Sequence, residues 1–174
     1  MVGRGLSRLL VLVVLLVGGC DAGSGHIDAG ASARASSPGG SPLDFTGTTL
    51  DGKAFDGHSL AGKPAVLWFW APWCPVCLQQ APGVRAAAER FGDRVNFIGV
   101  AGLDKTQAMP EFVQLAKVGS ITHLADEPGV VWKHFGITEQ STFVLVDASG
   151  RVTGHGPLAA DAIPDKVAAL LEGR

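Results

Sequence analysis

The chain has 174 residues and a formal net charge of −2, from 14 Lys and Arg against 16 Asp and Glu. That length suits one domain able to bury its own core, and the near-neutral charge offers no basic face for a nucleic acid. With 47% hydrophobic residues the chain is not disordered throughout, its 24 glycines follow no collagen period, and its three cysteines are an odd count that needs explaining.

The first residues read as an export segment. Arg4 and Arg8 form a basic start, and Leu9 to Val17 is an unbroken apolar run too short to span a bilayer. Val17-Gly18-Gly19-Cys20 follows and resembles a bacterial lipobox. That resemblance implies a signal peptide over residues 1–19, cleavage before Cys20, and a lipid on the Cys20 sulfur that anchors the protein to a membrane surface. The alternative is an ordinary secreted protein in which Cys20 falls there by chance. Either reading puts the domain outside the cytoplasm, where disulfides persist. If Cys20 carries lipid, Cys74 and Cys77 remain as one pair. Residues 20–41, rich in Gly, Ala and Ser, read as a flexible tether, and residues 42–174 as the folded domain.

Within that domain, Phe45 to Phe55 holds short β-prone pieces around Asp51-Gly52, a hairpin-turn dipeptide. Ala65 to Trp70 (AVLWFW) is a continuous apolar run, as expected of a strand buried on both faces. A helix is expected from about Pro75 to Phe91, kinked by Pro82. Val95 to Ala101 reads as a second buried strand, Met109 to Lys117 as a helix with Pro110 in its first turn, Ile121 to Leu124 as a short strand, and Val130 to Phe135 as a short helix. Thr142 to Asp147 and Arg151 to Gly154 suggest a hairpin around Ala148-Ser149-Gly150, and Asp161 to Glu172 a closing amphipathic helix. The alternation predicts an α/β fold, a sheet covered on both faces.

Trp73-Cys74-Pro75-Val76-Cys77 falls where the first buried strand meets its helix. Three residues of spacing on a helix put both sulfurs on one face, about 5–6 Å apart at Cβ, which is near disulfide geometry. The first sulfur lies at the helix N-terminus, where unpaired N–H groups and the macrodipole favour an anion. Cys74 is therefore the expected nucleophile, with Pro75 suited to the first turn. Cys77, one turn in among apolar neighbours, is expected to be less exposed and to resolve a mixed disulfide. A zinc site would need a second CxxC or an HxxxH, and His58, His123, His134 and His155 are scattered. An inert structural bridge over so short a loop would gain little chain entropy. The spacing points to redox chemistry, with no cofactor and no metal.

From about Leu43 to Leu171 the chain resembles the exported thioredoxin-fold thiol–disulfide oxidoreductases of the TlpA/ResA/DsbE type, and most of all the actinobacterial DsbE/DsbF-type lipoproteins. The resemblance rests on FTGTTLDGKAF, LAGKPAVLWFWAPWCPVC, the QAP after the cysteines, and TFVLVDASGRV. It implies a thioredoxin fold, a central mixed sheet flanked by helices, with an N-terminal β-hairpin. The catalytic pair maps onto Cys74 and Cys77, and Trp73 onto an aromatic residue that shapes the docking surface. Two positions depart from the family. Relatives carry a cis-proline just before the strand that here reads TFVLVD, whereas this chain has Gln140 and Ser141, one of which takes that place; without proline a trans peptide is expected. Many relatives carry an acid where Gln80 stands, and a glutamine cannot accept the second thiol's proton; Glu139 is expected near the site, solvated or compensating.

Pro75-Val76 between the cysteines carries no hydrogen-bond donor in its side chains, which predicts a moderate potential. The actinobacterial relatives imply formation of disulfides in exported proteins, whereas the wider TlpA/ResA group implies their reduction, as in cytochrome c maturation. The implied partners are exported protein thiols and a membrane protein that recycles the pair, either a quinone-linked VKOR/DsbB-like oxidase or a CcdA/DsbD-like reductant. A peroxiredoxin-like peroxidase would need Thr at the position of Ala71. A Sco-like copper-binding lipoprotein would need CxxxC and a distal histidine, for which His123 or His134 are the candidates.

Overall fold

The computed structural model describes residues 40–173. The expected signal peptide, Cys20 and nearly all of the expected tether lie outside the described residues. In chain order the elements are β1 (Thr46–Thr48), β2 (Ala54–Asp56), β3 (Ala65–Trp70), α1 (Pro75–Phe91), β4 (Asn96–Ala101), α2 (Met109–Ala116), β5 (Thr122–Ala125), α3 (Val130–His134), β6 (Thr142–Val146), β7 (Val152–Pro157) and α4 (Ile163–Leu171).

The main sheet has the order β5-β4-β3-β6-β7. The β3/β4 and β4/β5 pairs are parallel, while β3/β6 and β6/β7 are antiparallel. The central strand is β3, and every residue in it is buried. Its side chains alternate between two cores. Val66, Trp68 and Trp70 join the core that contains Ala81, Val84 and Phe91 of α1, Phe112 of α2 and Val167 of α4. Ala65, Leu67 and Phe69 join the opposite core, with Leu43, Phe45, Val131 and Trp132. A strand covered on both faces has no polar side to show, which is why AVLWFW lacks alternation. The separate hairpin β1/β2 pairs Thr46 with Asp56, and Gly52 in its turn has φ +83°.

Two elements differ in extent from the sequence reading by more than one residue at an end. Strand β7 continues past Gly154 to Pro157, because its glycines hide the pattern while β6 supplies the ladder, pairing Thr142 with Pro157. The last helix opens with a 3-10 turn at Ala160–Ala162, and α4 proper begins at Ile163. Pro164 then lies in the first turn, where a missing N–H costs nothing.

Helix α1 runs continuously through Pro82. It can approach the chain before α4 closely because position 83 is glycine. A Cβ there would lie 1.9 Å from the Ala160 carbonyl oxygen. On an exposed helix, Gly→Ala stabilises by about 1 kcal/mol. Here the sign reverses, because the atom struck is backbone. Gly83→Ala is expected to destabilise the domain by about 2 kcal/mol, which a lowered midpoint in thermal unfolding would report. An unchanged or raised midpoint would contradict the packing.

Candidate functional site

Strand β3 delivers the chain to the site, and Ala71 to Trp73 carry it from the sheet to α1. Cys74 is the N-cap of α1, with Pro75 at the first helical position. Its own N–H is tied back to the Ala71 carbonyl at 3.1 Å. Its sulfur takes the place of the usual capping oxygen and accepts a hydrogen bond from the Cys77 backbone N–H at 3.1 Å. One of the unpaired amides at the helix start is thus aimed at the first sulfur, which is the arrangement that holds an anion there.

Both cysteines are free thiols and both are buried, with Cys74 3% and Cys77 0% exposed. Cys77 is the less exposed, as its position one turn into the helix predicts. Burial pushes the Cys77 thiol up to about 11, and the adjoining Cys74 sulfur adds to this; the Ser141 hydroxyl and the backbone at Ala71 act the other way. Cys77 therefore carries its proton at neutral pH. Around the buried pair the surface is apolar: Trp73 is 54% and Val76 51% exposed. The Trp73 indole N–H donates to the Leu103 carbonyl at 3.3 Å, which fixes the ring at the rim.

The place beside the sulfurs is taken by Ser141; Gln140 is half-buried next to it. The Ser141 hydroxyl lies 3.2 Å from Cys74 Sγ and 3.3 Å from Cys77 Sγ. No peptide bond among the described residues is cis, so the Gln140–Ser141 bond is trans, as expected without proline. Ser141 instead has φ +66°, a left-handed conformation that costs a non-glycine residue roughly 1–2 kcal/mol. Two bonds hold it there. Its N–H donates to the Phe69 carbonyl at 2.8 Å, and its carbonyl accepts from Gln80 Nε2 at 2.9 Å.

Gln80 has a role that sequence reasoning missed. Its side chain is buried, donates also to the Leu158 carbonyl at 2.9 Å, and accepts from the Trp68 indole N–H at 3.0 Å. One amide thereby joins α1, β3, the segment before β6 and the segment after β7. The only hint in the sequence was its position, one turn after Cys77 on the same helix. A carboxylate there could not donate to two carbonyls. Glu139 is exposed, which fits the solvated alternative.

The histidines lie elsewhere. His123 is buried with Nε2 against the Val118 carbonyl at 3.0 Å, and His134 Nε2 meets the Pro42 carbonyl at 2.9 Å. Among the described residues no group of three or more His, Cys, Asp or Glu is placed to hold a metal ion.

The model of the AhpC/TSA family matches residues 38–155. The chain belongs to that family. It is 43% identical over 132 residues to the soluble secreted antigen MPT53 of Mycobacterium tuberculosis, across 74% of this chain and 75% of that protein. The structure of MTB DsbF in its mixed oxidized and reduced forms matches with a TM-score of 0.70 at 48% identity, over 74% of this chain and 96% of that one. A secreted Mycobacterium tuberculosis disulfide oxidoreductase homologous to E. coli DsbE matches with a TM-score of 0.67 at 40% identity, over 74% and 97% of the two chains. The mixed sheet with flanking helices and N-terminal hairpin is thus the thioredoxin fold that the sequence resemblance implied.

Gln80→Leu would leave the Trp68 indole N–H and the Ser141 and Leu158 carbonyls without this partner. Each buried polar group left unpaired costs about 1–3 kcal/mol. The substitution is expected to lower stability by about 3 kcal/mol in chemical denaturation. A loss below about 1 kcal/mol would show that the amide does not tie the site together.

Proposed function

We propose that this protein is an extracytoplasmic thiol–disulfide oxidoreductase that forms disulfides in exported proteins, with Cys74 attacking and Cys77 resolving. The observation that carries this reading is the set of hydrogen bonds around Cys74: the Cys77 N–H at 3.1 Å and the Ser141 hydroxyl at 3.2 Å. Donors aimed at the first sulfur stabilise the reduced, thiolate form of the pair. A stabilised reduced form makes the disulfide the better oxidant.

In the oxidising direction, a client thiolate attacks Cys74 Sγ of the Cys74–Cys77 disulfide. The S–S bond between the cysteines breaks, the electron pair leaves on Cys77 Sγ, and that sulfur takes up a proton. A second client thiolate then attacks the client sulfur of the mixed disulfide. The client leaves oxidised and Cys74 is released as thiolate, with both cysteines reduced. A membrane oxidase of the quinone-linked VKOR/DsbB-like class would reoxidise the pair. The rim of Trp73 and Val76 offers apolar surface to an unfolded client. The similarity to a secreted Mycobacterium tuberculosis disulfide oxidoreductase and to secreted MPT53 supports both the chemistry and the location. The sequence at Cys20 supports a lipid anchor.

The direction is tested by the reduction potential, read from equilibrium with glutathione mixtures. A value well above that of thioredoxin, about −270 mV, together with reactivation of a reduced, unfolded substrate, is expected. A potential at or below that value would assign the protein to disulfide reduction instead. The anchor is tested separately: Cys20→Ser should move the protein from the membrane fraction to the medium. Full-length protein found in the medium without that change would favour simple secretion.

A further inference from the structure

We propose that the Ser141 hydroxyl is a catalytic hydrogen-bond donor to the Cys77 sulfur, carrying the charge on that buried atom as the disulfide forms or opens. The inference rests on the assignment of Cys74 as attacking and Cys77 as resolving sulfur, and holds for either direction of electron flow.

Cys77 is fully buried, and burial opposes its ionisation. Yet exchange requires negative charge on it: as attacking group when a mixed disulfide resolves, as leaving group when the internal disulfide opens. The groups acting on the Cys77 thiol are the Cys74 sulfur, the Ser141 hydroxyl and the backbone at Ala71, and none is a carboxyl. At Gln80, one turn along α1, both side-chain N–H groups are already committed, to the Ser141 and Leu158 carbonyls, and the oxygen accepts from Trp68. Ser141 Oγ is the side-chain oxygen in contact with Cys77 Sγ, at 3.3 Å, and it touches Cys74 Sγ as well at 3.2 Å. A rotating hydroxyl can therefore point its proton at whichever sulfur bears the charge.

In the resolving step, Cys77 Sγ loses its proton and forms a bond to Cys74 Sγ. The bond from Cys74 Sγ to the client sulfur breaks, and the electron pair leaves on the client thiolate, which gains one proton. The net change is one thiol and one mixed disulfide becoming one internal disulfide and one client thiol. The serine proton stays on its oxygen throughout; its hydrogen bond shifts to Cys77 as that sulfur ionises. The left-handed backbone at Ser141 is what aims the oxygen between the two sulfurs, and the bonds to Phe69 and Gln80 keep it there.

The test compares wild type with Ser141→Ala and Ser141→Gly. Both variants lack the hydroxyl, but glycine accepts φ +66° without strain, so the pair separates the oxygen from the backbone. If the alanine variant does not fold, the glycine variant carries the test alone. The reduced protein is mixed in a stopped-flow instrument with dithionitrobenzoate, an aromatic disulfide whose released thiolate is yellow. A first phase reports attack by Cys74, and a second, unimolecular phase reports resolution by Cys77. In both variants the second phase is expected to slow by roughly 10-fold at neutral pH, with its pH midpoint moved upward, and to slow more than the first, as for loss of a hydrogen bond to a charged group. A second phase within about twofold of wild type, equal slowing of both phases, or wild-type kinetics in Ser141→Gly alone would overturn the proposal. A Cys77→Ser control should hold a stable adduct; its failure to form one would strike at the assignment of the two cysteines and not at Ser141.

Discussion

The reactive end of this molecule depends on one buried amide. Gln80 reaches from α1 to the Trp68 indole, to the Ser141 carbonyl and to the Leu158 carbonyl. It does so inside the core, where an unmatched donor or acceptor is expensive, so the three partners and the helix must keep one arrangement. The consequence appears at one of those partners, as a serine hydroxyl set between two sulfurs. A strained backbone at Ser141 persists because the fold holds it from both sides, which is how local strain survives at sites of chemistry.

The two sulfurs have different surroundings although they are three residues apart. Cys74 sits at the helix cap, where a backbone amide points at it, beside the exposed side chains of Trp73 and Val76. Cys77 lies beneath, in the apolar interior, with its proton held by burial. Under the proposed roles that asymmetry divides the labour of disulfide exchange: the capping sulfur attacks, and the buried one becomes charged only when a neighbour helps. The same division serves oxidation and reduction, because the steps of one direction are those of the other reversed. What sets the direction is the balance of hydrogen bonds to the reduced pair. Cys74 accepts one from the Cys77 N–H and has the Ser141 hydroxyl within hydrogen-bond distance, which is the physical basis for the proposed oxidising direction.

Gly83 belongs to the same construction. It lets α1 settle against Ala160, close to the Leu158 carbonyl that Gln80 holds. A bulkier residue would push the helix outward and with it the amide, the serine and the cap.

Much of this was legible in the sequence. An unbroken apolar run before CPVC identified a strand buried on both faces, because a two-sided core leaves no polar side chain to show. The spacing of Cys74 and Cys77, with Pro75 between them, placed both sulfurs on the first turn of a helix, since helical periodicity is a local property. The absence of proline at 140–141 already implied a trans bond. The sequence could not show which of Gln140 and Ser141 meets the sulfurs, because that depends on how β6 registers against β3 and so on contacts between distant segments. Nor could it show that Gln80 is a structural tie, because its three partners come from 12, 61 and 78 residues away along the chain. Short-range chemistry is written in the order of residues; which side chain ends up opposite another across the core is decided only when the sheet and its helices close on each other.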